Sequence, residues 1–445
     1  MKKVLSNISL LSLSNLITRF GTFLLVPLLT SVLSPGEFGK LIAAISLASL
    51  AGLFALNGQN SAIFRRKTLW DREWDFHIYE KAAVSICYIA FAFVLVLLML
   101  LSVFLDFEKL FGLPFNLFEF CFFAVGIYIA LDVVMINWIV DNQHRKIISL
   151  SVARAVSVLL LTYVFLETGL STFARPAAES ILGVVSVMAI GYIYFIRYPS
   201  FRLAPVLELR QELKDSFVYG WAMQISQISI LVLSTFDRLM LNRISGSETA
   251  GVYAIVMLGL FPMFVVANAN NIISVNYNRM YADSTDSNLI DSMLAKFVLL
   301  ASCLTFLLKI LLVFIGPFLV RLVAGNDYIE AAGYLYWVPD ILLLYFIYLM
   351  ITRYFHARSI VRVIIVTTAI AALINILLNS IFIPSHGIAG ALGASIASYV
   401  AISLISAIML AIYGAFHQYR RLLLVSLAAV ISCGLLDVII LEFFM

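Results

Sequence analysis

The sequence predicts an all-α polytopic membrane protein. It is read as two six-helix bundles, parallel repeats around a central cavity, followed by one further apolar segment. Three observations point there. Of 445 residues, 63% are hydrophobic and only 12% charged, against about 25% charged in an ordinary soluble domain. Apolar runs recur at the length of about 20 residues that crosses about 30 Å of hydrocarbon as a helix. Lipid offers backbone N–H and C=O groups no partners, so each run must satisfy its own as a helix. Finally, the longest polar stretches are short and few. This composition excludes a disordered chain, a secreted disulfide scaffold and a nucleic-acid-binding domain.

The spans fall in order near 8–32, 38–60, 80–105, 115–140, 147–168, 176–197, 216–240, 250–275, 293–320, 331–354, 361–384 and 388–413. The first begins like a signal peptide, but no small-x-small cleavage site follows and Arg19 interrupts the apolar run, so it is read as an uncleaved span. A thirteenth run, 421–441, is apolar but carries Asp437, which leaves twelve or thirteen spans open. The four cysteines all lie in apolar stretches without C-x-x-C spacing and read as small core residues. With the N-terminus in the cytoplasm, the inner loops hold eighteen Lys and Arg and the outer loops five. Basic residues are retained on the cytoplasmic side, and this bias sets the orientation. The C-terminus is then inside with twelve spans and outside with thirteen. The basic inner stretch RRKTLWDREW (65–74) reads as an interfacial anchor on anionic lipid.

The inner loop at 197–215 divides the spans evenly, giving an N-terminal bundle over 1–197, a linker over 198–215, a C-terminal bundle over 216–413 and the apolar tail 414–445. The halves show weak self-similarity. LSPGEFGKLIA (33–43) follows span one and ISGSETAGVYA (244–254) follows span seven; with one inserted residue, Ser34 falls on Ser245, Glu37 on Glu248 and Gly39 on Gly251. QHRKIIS (143–149) and HARSIVR (356–362) precede spans five and eleven. An even number of spans per repeat makes the repeats parallel and places a cavity between them near the midplane.

Several of these segments look like a known family. NILLNSIFIPSHGIAGALGASIASYV (375–400), LSPGEFGKL (33–41) and FDRLMLNRISGSETAGVYA (236–254) resemble hairpins of the polysaccharide and O-antigen (Wzx-type) flippases, within the multidrug/oligosaccharidyl-lipid/polysaccharide exporter superfamily. The resemblance implies an undecaprenyl-pyrophosphate-linked oligosaccharide as cargo. It implies a bacterial cytoplasmic (inner) membrane, H⁺ or Na⁺ coupling, and a polysaccharide polymerase and chain-length regulator as partners beside the membrane lipids.

Charges inside spans are costly, and each is a functional candidate. Asn15, Arg19 and Thr22 share a helix face in span one, and Arg19 is placed to meet a pyrophosphate. Arg154, with Ser151 and Ser157, lies early in span five, and Lys309 stands alone in span nine. With Asn268, Asn271 and Asn375 these make the substrate-binding candidates; each has a plainer reading, as a snorkelling cation or as an amide joining helices. Asp132, Asp237 and Asp340 are the candidates for a coupling ion. Asp237 and Arg238 also read as an interfacial pair, with Gln224 and Gln227 on the same face. Asp340 follows Pro339, where a broken helix would free carbonyls for a cation. No nucleotide-binding run and no metal-ligand cluster occurs, so no cofactor and no catalytic group are expected. A cation antiporter of the same superfamily would want acids in its cavity, and a polymerase or ligase would want long outer loops. The central cations and the short outer connections argue against both.

Overall fold

The computed structural model describes residues 17, 20, 21, 23–56, 91–100, 102, 104, 106–125, 143–197, 210–260, 270, 273, 277, 280, 287–358 and 360–444. Among them the regular structure is helical throughout. The longer helices are α1 (Pro35–Leu56), α2 (Phe91–Leu100), α3 (Phe115–Val125), α4 (His144–Glu167), α5 (Ala174–Arg197), α6 (Arg210–Ile244), α7 (Ser247–Leu258), α8 (Ser287–Ala324), α9 (Val338–Ile351), α10 (Val361–Ile412) and α11 (Arg420–Phe444). Each coincides with an expected span or part of one, except α10, which joins two. The thirteenth apolar run is α11, which together with the turn before it is long and apolar enough to cross a membrane despite Asp437.

Contacts divide the chain into two units, residues 1–33 with 40–231 and residues 34–39 with 232–445. The division falls inside α6, not in the expected linker. The reason is that α6 is one unbroken helix of 35 residues whose two halves have different partners. In the first unit, buried Gln224 donates its amide N–H to the Leu53 carbonyl on α1 at 2.6 Å. That contact joins two helices. In the second unit, Asp237 further along α6 meets α7 and α10.

The first unit also packs α4 on α5. A Cβ added to Gly21 would lie 2.7 Å from the Ala155 Cβ of α4, so only glycine allows that approach. The second unit is built around α9, which is buried along almost its whole length. It packs against α8 and α10, and α11 lies along α8. The outward side of α8 carries Leu300, Leu304, Leu307, Phe314 and Phe318, all exposed. A row of this kind suits lipid and would be a liability in water.

Two turns follow from the motifs. Gly387 has φ +52, and it breaks α10 into spans eleven and twelve, so the Gly of IPSHGIAG makes a turn that a side chain would strain. Gly390 then backs directly onto the Phe382 carbonyl, where a Cβ would overlap the oxygen. At the start of α1, the Ser34 N–H and hydroxyl both donate to the Glu37 carboxylate, at 3.0 and 2.9 Å, a capping box.

The paired hairpins of the proposed repeat touch each other inside the second unit. A Cβ on Gly39 would overlap the Ser247 carbonyl oxygen, and a Cβ on Gly251 would overlap the Pro35 carbonyl oxygen. The contact is reciprocal: the fifth residue of each helix lies on the first residue of the other. It sets Gly39 against Gly251, the two glycines that the proposed repeat pairs.

Candidate functional site

Among the described residues, three clusters of titratable and polar side chains within the helices of the second unit bear on function. The first centres on Lys309 of α8, which is 0% exposed. Its ammonium donates to Asp340 Oδ2 of α9 at 2.6 Å and to Asp437 Oδ1 of α11. Lys309 is therefore not alone: the fold brings two carboxylates to it from 31 and 128 residues away. That neutralisation corrects its reading as an open cation waiting for cargo. Asp340 also differs from expectation. Pro339 sits in the first turn of α9, after a 3₁₀ stretch Asn326–Trp337, where its missing N–H costs no helical bond, so it is not a break within α9. Asp340 Oδ1 is buried without a hydrogen-bond partner.

The second cluster centres on Asp237, also 0% exposed. The Tyr253 hydroxyl of α7 donates to Asp237 Oδ2, and the Ser395 hydroxyl of α10 donates to the same oxygen at 3.4 Å. Oδ1 accepts the Arg238 backbone N–H at 2.8 Å. No ion pair joins the Asp237 and Arg238 side chains within 4.0 Å among the described residues; the carboxylate is held by hydroxyls, with the Arg238 charge acting on it from further off. On α10, Asn379 donates to Asn375 Oδ1 at 2.9 Å, while Asn375 Nδ2 and Asn379 Oδ1 stay buried and unpartnered.

The third cluster was not anticipated. Arg353, counted among the inner-loop charges, is 6% exposed. Its guanidinium donates to the side-chain Oδ1 of Asn270, and its Nε has no hydrogen-bond partner. Tyr277, Tyr345 and Tyr348 lie near it, and the Tyr277 hydroxyl meets the Tyr419 hydroxyl at 2.5 Å. The available signal was its setting in YLMITRYF, with apolar residues on both sides. Asp437 had a clearer one, as the acid inside the thirteenth apolar run.

Elsewhere, Arg154 is half-buried on α4, one residue from the close approach of Gly21 to Ala155. Arg19, Asn15, Asp132, Asn268 and Asn271 lie outside the described residues. Many Ser and Thr hydroxyls within the helices, among them Ser46, Ser229, Thr368 and Ser398, donate to the carbonyl four residues earlier and present no free donor to a cargo. A cavity of about 570 Å³ opens between α8 and α11, but its lining, including Leu299, Phe306, Leu307 and Val425, is apolar and unsuited to a sugar.

The helical fold is shared with transporters of the MOP superfamily. The chain superposes on a solved "Lipid II flippase MurJ, inward closed conformation" with TM-score 0.66 and 16% identity, over 99% of this chain and 93% of that one. A multidrug resistance MATE family transporter of the MOP superfamily, in an inward-facing conformation, matches with TM-score 0.57 and 17% identity, over 93% of this chain and 95% of that one. A MOP superfamily transporter from Pyrococcus furiosus, whose title reports a binding pocket of reversed polarity, matches with TM-score 0.55 and 16% identity, over 94% of this chain and 98% of that one. The model of the "Polysaccharide biosynthesis protein" family matches residues 4–270, and the chain belongs to that family. No curated protein sequence matches the chain.

Proposed function

We propose that this protein is a flippase. It carries an undecaprenyl-pyrophosphate-linked oligosaccharide, an O-antigen or similar repeat unit, from the cytoplasmic to the outer leaflet of a bacterial inner membrane. The observation that carries the proposal is the joining of polysaccharide-biosynthesis family membership to a transporter fold that spans 99% of the chain. The physical need is clear. Moving one unpaired hydroxyl into hydrocarbon costs at least about 2 kcal/mol, so a head group with about ten costs about 20 before its pyrophosphate is counted. A wet cavity removes that barrier while the lipid tail stays in the bilayer. No bond changes, and the step is alternating access driven by an H⁺ or Na⁺ gradient. Asp132, Asp237 and Asp340 remain the acids from which a coupling site would be drawn.

An anionic cargo calls for cations that face it. Lys309 no longer supports that argument, since two carboxylates hold it. Arg19 and Arg154 keep the role proposed from the sequence, with Asn15, Asn268, Asn271 and Asn375 as hydrogen-bonding groups for sugar. Arg353 joins them, because its Nε is buried and unpartnered. In cells lacking the protein, Arg19→Ala should abolish surface polysaccharide while its membrane level matches the wild type. Full export by that variant would remove Arg19 from the mechanism.

A further inference from the structure

We propose that Lys309, Asp340 and Asp437 form a proton-binding site, in which one proton is held by the two carboxylates and Asp340 Oδ1 is the oxygen that receives it. The charge balance argues for it first. One ammonium faces two carboxylates, so with both ionised the cluster carries a net negative charge. Lys309 is wholly buried, Asp340 is 5% exposed and the Asp437 side chain is 25% exposed, and Tyr336 of an apolar cluster with Leu436 and Ile440 lies near both carboxylates. A buried carboxylate beside a second one does not ionise readily, and one proton removes the excess charge.

Geometry selects the oxygen and the ligand. Asp340 Oδ2 and Asp437 Oδ1 are both occupied by the ammonium, whereas Asp340 Oδ1 is buried with no hydrogen-bond partner. A metal ion at that oxygen would sit beside the ammonium and be repelled by it; a proton brings no such conflict. The titratable groups that the surrounding elements bring to the cluster are Tyr336 from the 3₁₀ stretch and Cys433 from α11. Neither supplies a second positive charge. The site also explains why an aspartate is present in an otherwise apolar thirteenth span: α11 completes it. Its use in transport, with a proton taken up on one side and released on the other as cargo crosses, rests on the proposed flippase function.

The test is infrared difference spectroscopy of the purified full chain in lipid nanodiscs, recorded as pH is stepped from acid to alkaline. The wild type should show a protonated carboxylic-acid carbonyl band that titrates. That band should vanish in Asp340→Asn, vanish or shift in Asp437→Asn, and shift in frequency in Asp340→Glu, which keeps the carboxyl. The Glu variant tests the assignment even if an Asn variant does not fold. A band unchanged in all three variants overturns the site. So does a spectrum that answers Na⁺ at fixed pH but not pH itself. The measurement needs no cargo, so its failure overturns the site, whereas absent flipping with the band intact overturns only the proposed function.

Discussion

Lys309 shows what a single residue can and cannot disclose. Its place within an apolar run was legible, but the sequence left open whether it snorkels or stays buried. Its partners were not, because Asp340 and Asp437 come from helices 31 and 128 residues away, and no local period links such positions. Arg353 failed in the opposite sense. Its position after an apolar run assigned it to an inner loop, but tertiary packing buries it against Asn270. Breaking a buried ion pair by deleting one partner costs about 3 kcal/mol or more, whereas replacing the whole group by apolar residues is far cheaper. Lys309→Met should therefore lower the stability of the purified protein by about 3 kcal/mol. Adding Asp340→Leu and Asp437→Leu to it should recover most of that loss, as read by thermal unfolding in detergent. A triple variant less stable than the single one would contradict the burial argument.

At the scale of elements, the spans and hairpins were the most legible features. Apolar length predicts a helix in lipid directly, and the Gly of IPSHGIAG falls where the chain turns at Gly387. The weak repeat between 33–43 and 244–254 anticipated a relationship but missed its physical content. The two glycines are where two helix N-termini press against each other's first carbonyl, a tertiary fact that residue identities only hint at. A paired substitution tests this. Gly251→Ala places a methyl on the Pro35 carbonyl and should lower the unfolding temperature markedly. Gly393→Ala, also within a helix but with open space around its Cβ, should raise stability by about 0.5–1 kcal/mol through helix propensity. Equal effects of the two substitutions would remove the significance given to the close crossing.

For the whole molecule, the number of spans would set the side on which the chain ends. If α11 crosses the bilayer as a thirteenth span and the N-terminus is inside, as the sequence reading expects, residues after 441 would face outward. A single cysteine appended to the C-terminus of a cysteine-free variant should react with a membrane-impermeant maleimide in intact cells whose outer membrane has been opened; labelling only after lysis would put the tail inside. The sequence disclosed the class of fold because composition and apolar length are properties of the whole chain. The substrate site was less legible, since several candidates gain partners only when distant helices meet. The most direct test of the central claim uses purified protein in sealed vesicles with a labelled undecaprenyl-pyrophosphate oligosaccharide. Access of an impermeant glycosidase to the label would be followed over time. The account predicts that wild-type protein moves the label across the bilayer with its saccharide chemically unchanged, and that Arg19→Ala does not. A saccharide lengthened, transferred or cleaved in vesicles to which no glycosidase was added, or movement no faster than in protein-free vesicles, would contradict it.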